Sequence, residues 1–112
     1  MDSVLVNRVN FFYEAFNNKD AVRIKSMCRG NVEFRDADGA IHHGDSKVEK
    51  ALVDIFSNKK LWVNPQEYYF TDHSVAICEC NIMLDDEFNG NAMHVIEFDI
   101  TSKIKKMRLY KG

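Results

Sequence analysis

Residues 61–110 read LWVNPQEYYFTDHSVAICECNIMLDDEFNGNAMHVIEFDITSKIKKMRLY, a stretch with four strand-like runs. The runs cover residues 61–70, 74–84, 92–100 and 104–110, and they are rich in β-branched and aromatic residues. Turn-forming residues separate them at Asp72-His73, at 85–90 and at Thr101-Ser102. Pro65 cannot donate to a β-ladder, so the first run is expected to be an edge strand or to be bulged there. The stretch predicts a series of antiparallel strands.

The first half of the chain has the periodicity of helices. Residues 3–17 form one amphipathic helix, because their apolar residues recur at helical spacing on a single stripe of Leu5, Val9, Phe12 and Phe16. Asp20 is a candidate N-cap for a second, short helix that Gly30 ends. Ser46 and Glu49 have the spacing of a capping box, which predicts a third helix that ends near Asn58.

A short strand pair lies between the second and third helices. Residues 31–36 alternate, with Val32 and Phe34 on one face, and the same alternation turns Asp36 toward that face. Asp38-Gly39 predicts a tight turn, and residues 40–43 are expected to form a return strand.

Helices followed by strands indicate an α+β fold, in which three N-terminal helices pack on a curved, mostly antiparallel sheet. A length of 112 residues fits a single domain, residues 1–112. Apolar side chains fall on both faces of the run at 74–84. The helices can cover only one of these faces, so we expect a homodimer that forms through the other.

The overall composition is that of a folded domain, with 46% hydrophobic and 29% charged residues. A net charge of -2 provides no field for binding nucleic acid. No apolar run approaches the roughly 18 residues that a membrane-spanning helix needs. The first residues, Met1-Asp2-Ser3, are acidic where a secretory signal would be basic. We therefore expect a cytoplasmic protein with neither a nucleic-acid nor a membrane partner.

The cysteines and histidines do not form a metal-binding pattern. Cys78 and Cys80 share a strand face, but a tetrahedral zinc site needs two more ligands, and the sequence has no second pair. His42 and His43 are adjacent in a strand, so they point to opposite faces and are expected at the surface. Three cysteines are an odd number, and reduced, partly buried thiols are expected. No metal or other cofactor is predicted.

Three segments resemble the nuclear transport factor 2-like superfamily, which includes ketosteroid isomerases and SnoaL-like polyketide cyclases. They are FYEAFNNKD at 12–20, VEFRDADG at 32–39 with Gly44 after it, and FDI at 98–100 followed by KIKKMRLY at 103–110. The resemblance spans essentially the whole chain. It implies a cone-shaped α+β barrel, with a pocket between the long first helix and the concave sheet, often in a dimer.

The resemblance also implies positions for catalytic groups. In ketosteroid isomerases an aspartate base moves a proton next to a carbonyl, while a tyrosine and a protonated aspartic acid hold the enolate oxygen. The base position matches Asp36. The tyrosine position falls on Phe12, with Tyr13 next along the helix, and the acid position falls on or near Ile96. Neither oxyanion donor is retained, and losing one costs a factor of about 10² to 10³ in turnover. Steroid isomerisation by that route is therefore not expected.

Three residues are the candidates for catalysis. A carboxylate in an apolar cavity has its pKa raised by desolvation, so Asp36 is a candidate base, and the alternative is that it ties down the 36–39 turn. His94 lies in phase with Ile96 and Phe98 and is a candidate hydrogen-bond partner, acid or base, or else a satisfied core histidine. Tyr13 is the other candidate partner.

Apolar and aromatic residues are expected to line the ligand pocket, namely Phe12, Phe16, Phe34, Trp62, Ile96 and Phe98. The first functional hypothesis is a small-molecule pocket protein that performs cofactor-free acid/base chemistry on an apolar carbonyl compound. The alternative is a non-catalytic ligand-binding or dimerisation module whose cavity is filled by side chains. An enclosed space of about 300 Å³ or more with Asp36 and His94 in its wall would favour the first hypothesis.

Overall fold

The computed structural model describes residues 3–71 and 74–112 and contains three helices and six strands among them. The predicted turn at Asp72-His73 lies outside the described residues. In chain order the elements are α1 (Ser3–Asn17), α2 (Ala21–Met27), β1 (Cys28–Arg35), β2 (Ile41–His43), α3 (Asp45–Phe56), β3 (Leu61–Phe70), β4 (Val75–Leu84), β5 (Glu87–Phe98) and β6 (Ile104–Lys111). The predicted α+β class, with helices preceding most of the strands, is confirmed.

The six strands form one sheet in the order β2-β1-β6-β5-β4-β3. β1 runs parallel to β6, and the other neighbouring pairs are antiparallel. The sheet is therefore mixed and open, with β2 and β3 at its edges. The parallel pair was not predicted, and it inserts β6 between β1 and β5.

The amphipathic stripe of α1 packs against the sheet as predicted. Leu5, Val9, Phe12 and Phe16 are all at most 4% exposed. Asp20 caps α2 as predicted, because its carboxylate accepts a hydrogen bond from the Arg23 amide at 3.0 Å. Pro65 also fits its prediction, since β3 is an edge strand and its pairing with β4 shifts register between Pro65 and Glu67.

Three predicted element boundaries are wrong. Gly30 does not end α2, because β1 already begins at Cys28, which pairs with Ile104 of β6. The capping box at Ser46 is absent: the N-cap of α3 is Gly44, whose φ of 91° suits glycine, and Ser46 lies inside the helix. The predicted loop at 85–90 is a tight turn at Asp85 and Asp86, whose φ angles are 54° and 65°. Such left-handed pairs make two-residue hairpins, so β5 starts earlier than expected.

The helix-facing side of the sheet forms the core with all three helices. In β5 the alternation buries Ala92, His94, Ile96 and Phe98 on this side, so the predicted phase of His94 with Ile96 and Phe98 is confirmed. Within the described residues, none of the helices is both long and apolar enough to cross a membrane.

Candidate functional site

A cavity of about 320 Å³ lies between the end of α1, the end of α3 and the helix-facing side of the sheet. Its buried wall includes Phe16 of α1, Val63 of β3, His94 of β5 and Leu109 of β6. Exposed residues mark its mouth, and these are Asp38, Asn58, Asn89, Tyr110 and Lys111. The remainder of the wall is mostly aliphatic. The inner wall of the cavity is thus mostly apolar, and most of the polar side chains lie at its mouth.

Asp36 follows the end of β1 and lines this cavity. Its Oδ1 accepts hydrogen bonds from the amides of Asp38 and Ala40, each at 3.0 Å. Its Oδ2 lies 3.0 Å from His42 Nε2. Burial alone would raise the pKa of Asp36, but these hydrogen bonds outweigh it and hold the pKa below its ordinary value. The lowered pKa is contrary to the rise that burial in an apolar cavity predicts. The hydrogen bonds that Asp36 accepts from the turn at residues 36–39 are those expected from the alternative hypothesis, in which Asp36 stabilises this turn.

His94 lies in the same cavity wall, on β5, and is 2% exposed. Burial lowers the pKa of its imidazole to about 4, so the ring is neutral at pH 7. Its Nδ1 lies 2.8 Å from the Tyr13 hydroxyl. Nε2 is therefore the ring nitrogen that is left for a ligand in the cavity.

Tyr13 lies behind His94 and is absent from the cavity wall. Its ring stacks on the His94 ring, with the centroids 5.7 Å apart and the planes 15° apart. Its hydroxyl also lies 3.3 Å from Cys80 Sγ. Burial raises the pKa of Tyr13 well above its ordinary value. The hydroxyl therefore stays protonated and can contact a ligand only through His94.

The structure brings Asp36 and His94 to one cavity, as predicted, but from strands that are not neighbours, since β6 separates β1 from β5. Among the six predicted wall residues, Phe16 lines the cavity. Four others are packed in the core at 2% exposure or less, and they are Phe12, Phe34, Ile96 and Phe98. Aromatic and aliphatic packing fills the space beside them. Trp62 is 50% exposed at the start of β3 and lies outside the cavity wall.

Sequence reasoning missed two residues of this region. His42 was expected at the surface, yet it pairs with Asp36 and stacks on Phe34, with 28% of its side chain exposed. The separation of six residues across a predicted turn was a signal that could have found this pair. Cys80 was considered only as a metal ligand, and its contact with Tyr13 joins residues 67 positions apart. No local pattern reports such a contact.

The thiols near the cavity are poor nucleophiles. Burial raises the pKa of Cys78 to about 12, and burial also raises the pKa of Cys80. No group of three or more histidine, cysteine or acidic residues that could hold a metal is found in the described part of the chain. The polar chemistry of the cavity wall thus centres on His94 and Asp36.

No family model matches the chain, and no curated protein matches it. Solved structures do match it. One is SalBIII, an epoxide hydrolase/cyclase-like enzyme with a role in pyran ring formation in the polyether salinomycin. It matches with a TM-score of 0.84 and 14% sequence identity, and the match covers 96% of this chain and 90% of SalBIII. Another is a steroid delta-isomerase from Pseudomonas aeruginosa, which matches with a TM-score of 0.81 and 10% sequence identity. The match covers 100% of this chain and 82% of the isomerase.

A third similar structure is a putative isomerase of the SnoaL-like family from Agrobacterium tumefaciens, with a TM-score of 0.80, 7% identity and 96% of each chain covered. An NTF2-like protein of unknown function from Cytophaga hutchinsonii matches with a TM-score of 0.78 and 12% sequence identity. The match covers 100% of this chain and 93% of that protein. At such identities the likeness concerns the fold, and it agrees with the resemblance that three segments of the sequence carry. The chain therefore has the nuclear transport factor 2-like fold.

Proposed function

We propose that this chain binds a small, largely apolar molecule that carries a hydrogen-bonding oxygen, such as a carbonyl, in the cavity between α1, α3 and the sheet. The observation that carries the proposal is the cavity of about 320 Å³ with Asp36 and His94 both in its wall. Ligand sites are typically hollows of about 300 to 1,000 Å³ with apolar walls and few polar groups. The size fits a molecule of about one to three rings.

The polar groups favour a neutral ligand. His94 is uncharged at pH 7 and offers one ring nitrogen, so it can form a hydrogen bond without attracting a charged group. Asp36 is ionised and already accepts hydrogen bonds from the turn and His42, so it disfavours an anionic group directly beside it. Similar structures include a cyclase-like enzyme and a steroid isomerase, whose names are compatible with small organic ligands.

Binding is tested with indanone, a bicyclic ketone that fits this volume. In an amide NMR titration of the ¹⁵N-labelled chain we expect saturable shifts at the cavity wall. Ala92→Phe places a ring in the cavity and is expected to weaken binding at least tenfold. Val53→Phe is the matched control, since Val53 is 54% exposed on α3. Shifts scattered over the surface, or equal affinity in both variants, would contradict the proposal.

A second candidate function is cofactor-free acid/base chemistry on the bound carbonyl compound. It is favoured by the carboxylate and the imidazole sharing one cavity. In this scheme Asp36 removes a proton from the carbon next to the carbonyl, and His94 donates a hydrogen bond to the resulting enolate oxygen. Return of the proton to carbon completes the cycle. The lowered pKa of Asp36 makes it a weak base, which is why binding is the first proposal.

Deuterium exchange measures this second function directly. In D₂O the chain would replace the hydrogens next to the carbonyl of indanone by deuterium, which mass spectrometry follows. Asp36→Asn keeps an acceptor oxygen for the turn but removes the base, and should slow exchange by about 10² or more. Equal rates for the wild type and this variant would reject the catalytic scheme and leave ligand binding intact.

A further inference from the structure

Tyr13, His94 and Cys80 form a hydrogen-bonded cluster behind the cavity wall. The Tyr13 hydroxyl lies 2.8 Å from His94 Nδ1 and 3.3 Å from Cys80 Sγ, and the Cys78 thiol is a further hydrogen-bonding neighbour. Cys80 Sγ lies 3.7 Å from the Cys78 carbonyl oxygen. The three side chains are at most 3% exposed. With so little exposure to water, each of these polar groups needs a hydrogen-bond partner inside the protein or in the cavity.

The cluster allows two arrangements, because the hydroxyl has a single hydrogen. In the first, the Cys80 thiol donates to the Tyr13 oxygen, and the Tyr13 hydroxyl donates to Nδ1 of His94. The neutral imidazole then carries its hydrogen on Nε2, on the side left for a ligand. In the second, Nδ1 of His94 donates to Tyr13, the hydroxyl donates to Cys80 Sγ, and Nε2 is an acceptor.

The acceptor strengths of the groups favour the first arrangement. A separation of 2.8 Å suits a hydrogen bond between Tyr13 and His94 in either direction, so the chemistry of the acceptors decides. Sulfur is a weak acceptor, and the second arrangement gives it the only hydroxyl hydrogen. That arrangement also needs the thiol to donate across 3.7 Å to the Cys78 carbonyl. In the first arrangement the thiol acts only as a weak donor, and the hydroxyl hydrogen goes to the imidazole nitrogen, which is the stronger acceptor.

We propose that Tyr13 is a positioning residue that fixes His94 in the tautomer with its hydrogen on Nε2, and that the cavity therefore selects ligands with an acceptor oxygen over ligands that offer only an N–H donor. The selectivity rests on the proposed ligand binding. The tautomer does not, because it follows from contacts within the protein. Tyr13 acts through His94 and does not touch the ligand.

The tautomer is measured without any ligand, from the ¹⁵N resonances of the imidazole of His94 at pH 7. We expect a protonated Nε2 and an unprotonated Nδ1 in the wild type. In Tyr13→Phe the hydroxyl is gone while the ring remains, and the fraction of the tautomer protonated on Nδ1 should rise about fivefold, the factor expected for one net hydrogen bond. A purely structural role for Tyr13 would leave these resonances unchanged.

Cys80→Ala is the matched control. It removes the sulfur but leaves the bond from Tyr13 to His94, so the tautomer should stay as in the wild type. A wild-type His94 with its hydrogen on Nδ1 would overturn the proposal, and this outcome can be read even if a variant fails to fold. Unchanged resonances in a folded Tyr13→Phe variant would also overturn it.

Ligand selectivity is measured with three bicyclic compounds of similar size: indanone has an acceptor oxygen, indole has an N–H donor, and indane has neither. For the wild type we expect indanone to bind several-fold more tightly than the other two. In Tyr13→Phe its advantage over indole should shrink about fivefold. If indole binds the wild type as tightly as indanone, the selectivity is wrong. If none of the three binds, the proposed function fails, and the imidazole resonances still decide the role of Tyr13.

Discussion

Asp36 lies in the cavity wall and also closes the turn after β1, so substitutions there separate the two roles. Asp36→Ala removes the acceptor for two backbone amides and for His42, and should lower the free energy of unfolding by about 1 to 3 kcal/mol. Asp36→Asn keeps an oxygen for both amides and should cost less. Urea denaturation at pH 7 gives both values. If Asp36→Ala and Asp36→Asn lowered the free energy of unfolding equally, the turn would not depend on the hydrogen bonds from the two backbone amides.

His94 makes stability depend on pH. Its pKa is about 4 in the folded chain and 6.5 when unperturbed, so in acid the unfolded chain binds a proton that the folded chain does not. The contribution of the neutral His94 imidazole to the free energy of unfolding is fully present above pH 6.5 and is lost as pH falls toward 4. Between pH 7 and pH 5 the loss should be about 2 kcal/mol.

Urea denaturation of the wild type and His94→Gln across this pH range isolates that effect, because glutamine does not titrate. The other three histidines, His42, His43 and His73, remain in both proteins and cancel in the comparison. The wild type should lose more stability on acidification than the variant does. Parallel pH profiles for the two proteins would show that the imidazole is not buried in its neutral form.

At the scale of elements, the end of α1 holds the edge strand β3 in place. Asn17 Nδ2 donates to the Val63 carbonyl at 2.8 Å, and the Val63 amide donates to Asn17 Oδ1 at 2.9 Å. One side chain thus takes the place of a neighbouring strand at a sheet edge, where backbone groups otherwise lack partners. Because Val63 also lines the cavity, this contact sets one wall of the site.

We expect Asn17→Ala to lower the free energy of unfolding by about 1 to 3 kcal/mol, since two part-buried backbone groups lose their partners. Hydrogen exchange of the Val63 amide should accelerate in native conditions. Asn18→Ala is the control, because Asn18 is the exposed neighbour in the chain. An unchanged exchange rate at Val63, or an equal effect of both substitutions, would argue against a role in docking β3.

At the scale of the whole molecule, the homodimer expected through the outer face of the sheet remains a prediction. Tyr69 and Met93 are 49% and 41% exposed there. Toward β1 the same face is charged, with ion pairs between Lys106 and Glu33 and between Arg108 and Glu97. An interface would therefore centre on β3 to β5.

Sedimentation at micromolar concentration tests the association. We expect about twice the chain mass of 13.0 kDa, and a shift toward monomer in Met93→Glu. Val53→Glu adds the same charge to the exposed side of α3 and should leave the dimer intact. A single species of one chain mass in the wild type would exclude the dimer at that concentration.

Prediction from sequence succeeded where the signal is local. The stripe of α1, the cap at Asp20 and the phase of His94 on its strand follow from spacing along the chain, because helices and strands repeat every few residues. Boundaries set by pairing partners were missed: β1 begins at Cys28 only because Ile104 lies beside it. Four of the six predicted wall residues are core residues for a similar reason, since packing decides which side chains fill the core.

The amino-acid sequence alone determined the α+β class, the residues that share a face in β1 and β5 and the presence of a carboxylate and an imidazole in phase with those faces, because each depends on periodicity and residue chemistry. Only the tertiary structure decided the parallel pairing of β1 with β6, the location of the cavity and the contact of Tyr13 with His94 and Cys80. These features join residues far apart in the chain, and no local pattern encodes which distant groups will meet. The low pKa of Asp36 belongs with them, since it depends on the hydrogen bonds that the folded turn provides.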